Sequence, residues 1–149
     1  MRYLFIFSFL LCILSSSAQY SNPPIIRTEQ INIARDSFGV PHIFAPTDPE
    51  VAYGLAWAHA EDDFTTIQTL ILTGKGKLAT YLGKKGAPVD YVFGLLNTKA
   101  TVLTQINSLD PKLILLVKGY LAGLEAFAKA HPDKVLNKNV FLLLYLYSN

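Results

Sequence analysis

Cysteine and histidine are scarce in this sequence, and neither positive nor negative charge is in large excess. Its 149 residues include one cysteine and three histidines, and 13 Lys and Arg stand against 11 Asp and Glu. A lone cysteine offers no intramolecular disulfide, and the balanced charge argues against a strongly basic nucleic-acid binder. The chain is 51% hydrophobic and 12% aromatic, which excludes a disordered tail and a collagen-like repeat. Length and composition together predict one small globular domain.

The first 18 residues have the pattern of a secretory signal peptide. A basic start at Arg2 precedes an apolar run over residues 3–14, and residues 15–18 (SSSA) supply small residues for a cut before Gln19. We therefore expect residues 1–18 to be removed and residues 19–149 to be exported, to the periplasm or out of the cell. The apolar run is shorter than the ~20 residues that a ~30 Å bilayer core requires, so no permanent membrane anchor is expected. Two alternatives remain open: lipid attachment at Cys12 and an uncleaved first segment that anchors the chain.

A β-hairpin is predicted next. Ile31 and Ile33 alternate with other residues, and a second alternating stretch covers residues 40–45. Between them, residues 36–39 (DSFG) have turn composition, with Gly39 free to adopt a positive φ. Since an isolated hairpin is only marginally stable in water, we expect a helix or further strands to cover one of its faces.

The pattern after the hairpin is mainly helical, which predicts an α+β fold. Residues 47–50 (TDPE) predict a capping box, in which Thr47 accepts a backbone N–H and Glu50 reaches back, at the start of a helix that continues toward Gly74. Small residues at positions 52, 56, 58 and 60 would let a neighbouring element approach this helix closely. A shorter helix is predicted over residues 98–107. Asp110 and Pro111 begin a further helix that Pro132 ends.

Two other stretches depart from this plan. Residues 74–86 carry four lysines and no acid, without the spacing of a phosphate-binding P-loop. We interpret them as a solvated turn around one helical turn at residues 78–82, with no ligand. Residues 141–147 are an uninterrupted apolar run, which either pairs inside a sheet or belongs to a fold that continues beyond it.

Two clusters contain residue types that catalysis uses. Asp36, Ser37 and His42 have the side chains of a nucleophilic triad, but they crowd around one turn, whereas triads are defined by geometry between separate elements. His59 and Asp63 share a helix face at the spacing of two metal ligands, but a zinc site needs three or four. We therefore predict that both clusters are structural. Asp62 and Asp63 are also placed to pair with Arg35, which would tie the hairpin to the helix.

Several segments taken in order resemble the start of the penicillin acylase family. These are residues 31–43 (INIARDSFGVPHI), 53–64 (YGLAWAHAEDDF), 76–79 (GKLA), 81–83 (YLG) and 118–127 (KGYLAGLEAF). The resemblance covers about residues 31–139. It marks eight motif residues as structural and none as catalytic or metal-binding: Arg35, Asp36, Gly39, Pro41, His42, Gly54, His59 and Asp62.

The resemblance implies an exported N-terminal-nucleophile hydrolase with a four-layer αββα fold. In this family a precursor cleaves itself into an α and a β chain. The new N-terminal residue of the β chain, usually Ser, attacks an N-acyl amide such as a penicillin or an acyl-homoserine lactone. Its own α-amino group, with a pKa of ~8, is the base, and an oxyanion hole stabilises the intermediate. No organic cofactor is implied; calcium is possible in the full-length fold.

This sequence departs from the family pattern in ways that bear on activity. Residues 61–63 read EDD where the family usually has Gln-Asp-Arg, and none of the nine glycines is followed by Ser, Thr or Cys, so no cleavage junction of the usual kind is present. We therefore expect a truncated N-terminal part of an acylase α chain that is inactive without its β-chain portion. We also expect exposed apolar surface around Leu55, Trp57, Leu116 and Leu124. The alternative is a non-catalytic exported helical module for binding or scaffolding.

Overall fold

The computed structural model of the protein describes residues 23–136, without the side chain of Asn107. The expected signal peptide and the apolar run at residues 141–147 lie outside the described residues. Within them the expected α+β class is confirmed: an N-terminal hairpin is followed by five α-helices and short 3₁₀ turns.

The hairpin is formed by β1 (Asn32–Arg35) and β2 (Pro41–Phe44), which pair antiparallel with Ile33 opposite Ile43. Gly39 has a φ of 82° in the connecting turn, as the sequence predicts. Side chains of Ile31, Ile33 and Ile43 face Gly54 of the following helix, where a Cβ would lie 2.7 Å from Ile43. Glycine at this position therefore lets the sheet rest directly on the helix backbone.

Helix α1 (Asp48–Gly74) consists of two helical parts separated by a kink at Asp63, which has non-helical angles (φ −156°, ψ 74°). The Asp63 carboxylate accepts hydrogen bonds from the backbone N–H of Thr66 (3.0 Å) and from its hydroxyl (2.6 Å). These are the bonds of an N-cap, so Asp63 begins a second helical part. The sequence predicts one unbroken helix here, and this expectation is wrong because Asp63 caps a new start within it.

Helix α5 (Pro111–Ala130) lies beside the first part of α1 and runs in the same direction. A Cβ at Gly119 would collide with the carbonyl of Pro49, and one at Gly123 would collide with the carbonyl of Tyr53. Ala56 and Ala60 of α1 complete this contact in a core with Phe64, Leu124, Phe127 and Ala128. The predicted close neighbour of the small residues in α1 is therefore confirmed, and α1 lies between the hairpin and α5.

Three shorter helices connect α1 to α5: α2 (Ala79–Leu82), α3 (Ala87–Leu95) and α4 (Thr98–Gln105). Helices α2 and α4 fit the predicted stretches 78–82 and 98–107, whereas α3 was not predicted. A second small core, formed by Leu72, Leu78 and Val89, joins α3 and the start of α2 to α1. Asp110 is the predicted N-cap of α5, and its carboxylate accepts from the backbone N–H of Lys112 at 2.8 Å.

The expected exposed apolar surface is only partly present. Leu116 is 40% exposed, but Leu124 is 1% exposed because it packs against α1 in the core. Trp57 is half-buried, with its ring edge-on to Phe127 at 5.3 Å between centroids. The expectation is therefore wrong for Leu124, since α5 itself covers the face of α1 that was expected to be open.

Candidate functional site

The family-motif residues meet where the hairpin crosses α1, and Arg35 of β1 is at the centre. Its guanidinium donates to the carbonyls of Gly39 (2.8 Å) and Ala58 (3.3 Å). It also pairs with the carboxylates of Glu61 (3.1 Å) and Asp62 (2.9 Å). These two acids raise the pKa of Arg35, Glu61 contributing most. The predicted tie between hairpin and helix is confirmed for Asp62.

Asp63 does not take part in that tie. Its carboxylate caps the second part of α1, and Glu61 takes the place expected for it beside Arg35. The Thr66 hydroxyl, followed by the Thr66 backbone N–H, lowers the pKa of Asp63. Glu61 also accepts from the indole N–H of Trp57 at 2.9 Å. The EDD sequence therefore supplies two acids for Arg35 and one cap for the helix.

Asp36, Ser37 and His42 do not form a catalytic triad. Oδ1 of Asp36 accepts from the backbone N–H groups of Phe38 (2.8 Å) and Val40 (3.0 Å), and its Oδ2 lies 3.5 Å from Nε2 of His42. The Val40 hydrogen bond is the main reason that the pKa of Asp36 is lowered. Ser37 is exposed in the same turn. The carboxylate therefore shapes the turn, in which Gly39 and Pro41 also lie.

His59 and Asp63 have separate partners. Nδ1 of His59 lies 3.2 Å from the hydroxyl of Tyr120 on α5, and burial raises the pKa of that tyrosine. Within residues 23–136, no group of three or more His, Cys, Asp or Glu side chains is arranged to hold a metal ion. His59 therefore contributes to the contact between α1 and α5.

Two polar contacts of α1 were not predicted, and the first holds the N-terminal segment. Glu50 is fully buried, and its carboxylate accepts from the Arg27 backbone N–H (3.1 Å), Nε (2.8 Å) and Nη2 (3.1 Å). The Thr47 hydroxyl donates to it at 2.7 Å. Arg27 and then Thr47 lower the pKa of Glu50 to about 2. We call these three residues the N-terminal clasp.

The N-terminal clasp corrects the predicted capping box. The Thr47 side chain caps no backbone N–H, because its hydroxyl donates to Glu50 instead. The Glu50 carboxylate in turn accepts from Arg27 and from the Thr47 hydroxyl instead of the Thr47 backbone N–H. The available signal was a glutamate four residues before Gly54, on the same helix face, where the absence of a side chain at Gly54 allows close packing.

The second unpredicted contact holds the segment after α5. The fully buried amide of Gln68 donates to the carbonyl of Lys134 (3.0 Å) and accepts from the backbone N–H of Leu136 (2.9 Å). We call Gln68, Lys134 and Leu136 the C-terminal clasp. Its signal in the sequence was a polar residue four places from both Phe64 and Leu72, on a buried helix face.

A cleft of about 170 Å³ lies away from this junction, between the end of α1 and α3. Lys75 and Lys99 line it with Asp90 and Phe93. Burial, followed by the charges of Lys77 and Lys99, lowers the pKa of Lys75. The Asp90 carboxylate accepts from the backbone N–H groups of Leu78 (2.7 Å) and Ala79 (2.8 Å). Among the described residues that line the cleft there is no His, Cys or Ser, and the one hydroxyl side chain is that of Thr98.

The sequence profile described as penicillin amidase matches residues 30–145. The chain belongs to this family. Its curated relatives include the penicillin G acylase of Escherichia coli, which is 26% identical over 133 residues. The acyl-homoserine lactone acylase PvdQ of Pseudomonas fluorescens (strain Pf0-1) is 31% identical over 118 residues. These alignments cover 85% and 74% of this chain, but only 16% and 15% of the two relatives.

A solved structure of the family has a similar backbone fold over most of this chain. The thermostable penicillin G acylase from Alcaligenes faecalis superposes with a TM-score of 0.63 at 26% identity, over 70% of this chain and 55% of that one. The resemblance inferred from the sequence is therefore confirmed. In the described residues the matching segments build the hairpin, α1 and α5, and their polar side chains hold these elements together.

Proposed function

We propose that this chain is the N-terminal part of an exported amide hydrolase of the penicillin amidase family, with N-acyl substrates of the penicillin or acyl-homoserine lactone type. In this proposal it supplies scaffold and needs a β-chain portion for the nucleophile, the terminal-amine base and the oxyanion hole. The relatives named above support the substrate class, and the apolar run at residues 3–14 supports export.

The observation that carries the scaffold role is what the motif side chains bind. Arg35 and Asp62 hold a strand to a helix, and Asp36 holds a turn. A nucleophile or general base has to present a lone pair to substrate, whereas these groups are committed to the fold.

A chimera tests the proposal. Residues 30–145 would replace the matching segment of the PvdQ acylase named above, and hydrolysis of an acyl-homoserine lactone would be measured. We expect the chimera to turn over this substrate and the purified chain alone to give the background rate. Arg35→Ala in the chimera should lower the yield of active enzyme, and Arg35→Lys should lower it less. Turnover by the chain alone, or a folded chimera without activity, would refute the proposal.

No described helix is long and apolar enough to cross a membrane. In this proposal the mature protein begins at Gln19, and mass spectrometry of the secreted chain would check that start. An intact Met1 in the exported fraction would contradict it.

A further inference from the structure

The cleft between the end of α1 and α3 collects positive charge from two separate stretches of the chain. Lys75 follows directly after α1, and Lys99 lies in the first turn of α4. Lys77 adds a third cation, whose charge acts on Lys75. Among the described residues that line the cleft, Asp90 is the one acid, and both oxygens of its carboxylate accept from backbone N–H groups. The cleft therefore carries more positive than negative charge.

The cations around the cleft repel one another. Lys75 is half-buried, and burial, followed by the charges of Lys77 and Lys99, lowers its pKa. Positive charges that surround a partly enclosed space create a potential that attracts anions. An anion bound between Lys75 and Lys99 would be attracted by both ammonium groups and would offset their mutual repulsion.

The rest of the lining leaves room for a ligand and offers it a polar group. Gly74, Gly76 and Gly94 contribute no side chain to the cleft, whose volume is about 170 Å³. This is smaller than the ~300 Å³ at which pockets for drug-sized ligands begin, so the ligand has to be small. Thr98 adds a hydroxyl, which can donate a hydrogen bond to an oxygen of the ligand.

We propose that this cleft binds a small oxyanion, a phosphate or a carboxylate, between Lys75 and Lys99. Both kinds of group present negatively charged oxygens, to which ammonium groups donate charge-assisted hydrogen bonds. The sequence predicts no ligand for residues 74–86, and the proposal departs from that expectation because Thr98 and Lys99 lie outside this stretch. The anion is either free in solution or a carboxylate of the same polypeptide beyond the described residues. This inference goes beyond the proposed function and does not rest on it.

Titration of the purified chain with inorganic phosphate tests the site. We expect the amide NMR signals of Lys75, Thr98 and Lys99 to shift along one saturable curve, and sodium chloride at the same ionic strength to leave them unshifted. Lys75→Gln and Lys99→Gln should each raise the phosphate concentration at half-saturation about tenfold, because each removes a charged hydrogen-bond donor. The matched control, Lys112→Gln on α5, should change it less than about twofold, because exposed charges at a distance are screened. Circular dichroism would check that each variant keeps its helix content.

The chimera described above separates the two sources of the anion. If the chimera broadens the phosphorus NMR signal of inorganic phosphate and its Lys75→Gln, Lys99→Gln variant does not, the anion is free. If the chimera does not broaden this signal and the double variant melts at a lower temperature than the chimera, the anion is a carboxylate of the same polypeptide. The proposal is overturned if phosphate causes no saturable shift in the chain, if chloride causes the same shifts, or if the lysine variants titrate as the wild type does. It is also overturned if the chimera neither binds phosphate nor loses stability in the double variant.

Discussion

The two clasps perform the same task at opposite ends of α1 with different chemistry. The N-terminal clasp uses a buried carboxylate and a guanidinium, and the C-terminal clasp uses a neutral amide that pairs with backbone groups. An ionised side chain in the interior is expensive unless its partner is present, while an amide loses only its hydrogen bonds. The first clasp therefore depends on pH and on the presence of the Arg27 cation. The hydrogen bonds of the second clasp involve no ionisable group, so they depend on neither pH nor a charged partner.

Removing the cation should have the largest effect. Arg27→Ala removes the cation and leaves the fully buried Glu50 carboxylate with only neutral partners, the backbone N–H of residue 27 and the Thr47 hydroxyl. We expect the melting midpoint of the purified chain at pH 7 to fall by about 10 °C or more, because an unpaired buried charge is strongly destabilising. The matched control is Glu50→Gln in the Arg27→Ala background, which removes the charge and should recover part of the loss. A melting curve that is unchanged in Arg27→Ala would contradict the difference between the clasps.

Removing the amide should have a smaller effect. Gln68→Leu preserves much of the buried volume but leaves the Lys134 carbonyl and the Leu136 N–H without the amide partner. We expect a loss of about 2 kcal/mol in the free energy of unfolding, the usual cost of unsatisfied buried polar groups. Urea denaturation would measure it, with Gln105→Leu on exposed α4 as the control. A loss below that of the control would show that the C-terminal clasp contributes nothing.

A fall in pH should weaken the N-terminal clasp and leave the C-terminal clasp unchanged. Because the pKa of Glu50 is lowered from 4.5 to about 2 in the folded protein, its contribution to stability is fully present above pH ~4.5 and is lost as the pH falls toward 2. The amide NMR signal of Arg27 should titrate with a midpoint near pH 2 in the wild type, since it follows the protonation of Glu50 in the folded protein. That of Leu136 should stay constant, and in Glu50→Gln the Arg27 signal should also stay constant. Parallel titration of both amides in the wild type would mean that the whole fold opens and not one clasp.

The features that could be predicted from the sequence are those that depend on residues close together in the chain. The hairpin turn depends on Gly39, and the start of α5 depends on Asp110, so the residues themselves carry the information. The break at Asp63 could not be separated from a continuous helix, because the apolar pattern continues across it. The clasps were missed for a different reason: Arg27 meets Glu50 and Gln68 meets Leu136 only after the chain has folded, and sequence spacing does not report such contacts.

The same distinction applies to the candidate site. The pairing of Arg35 with Asp62 was predicted because both lie in recognisable motifs, one on the strand and one on the helix. The role of Glu61 was missed because three consecutive acids look equivalent in sequence. They differ only once the helix breaks at Asp63 and turns that carboxylate toward Thr66.

The glycine contacts between α1 and α5 restrict how these helices can move. A slip of α5 by one turn, about 5.4 Å, would bring Leu115 to the place of Gly119 or Phe127 to the place of Gly123, where not even a methyl group fits. Sliding along the shared axis is therefore blocked in both directions. Any opening of this pair therefore has to move the helices apart, perpendicular to their axes, and cannot occur by sliding of one helix along the other.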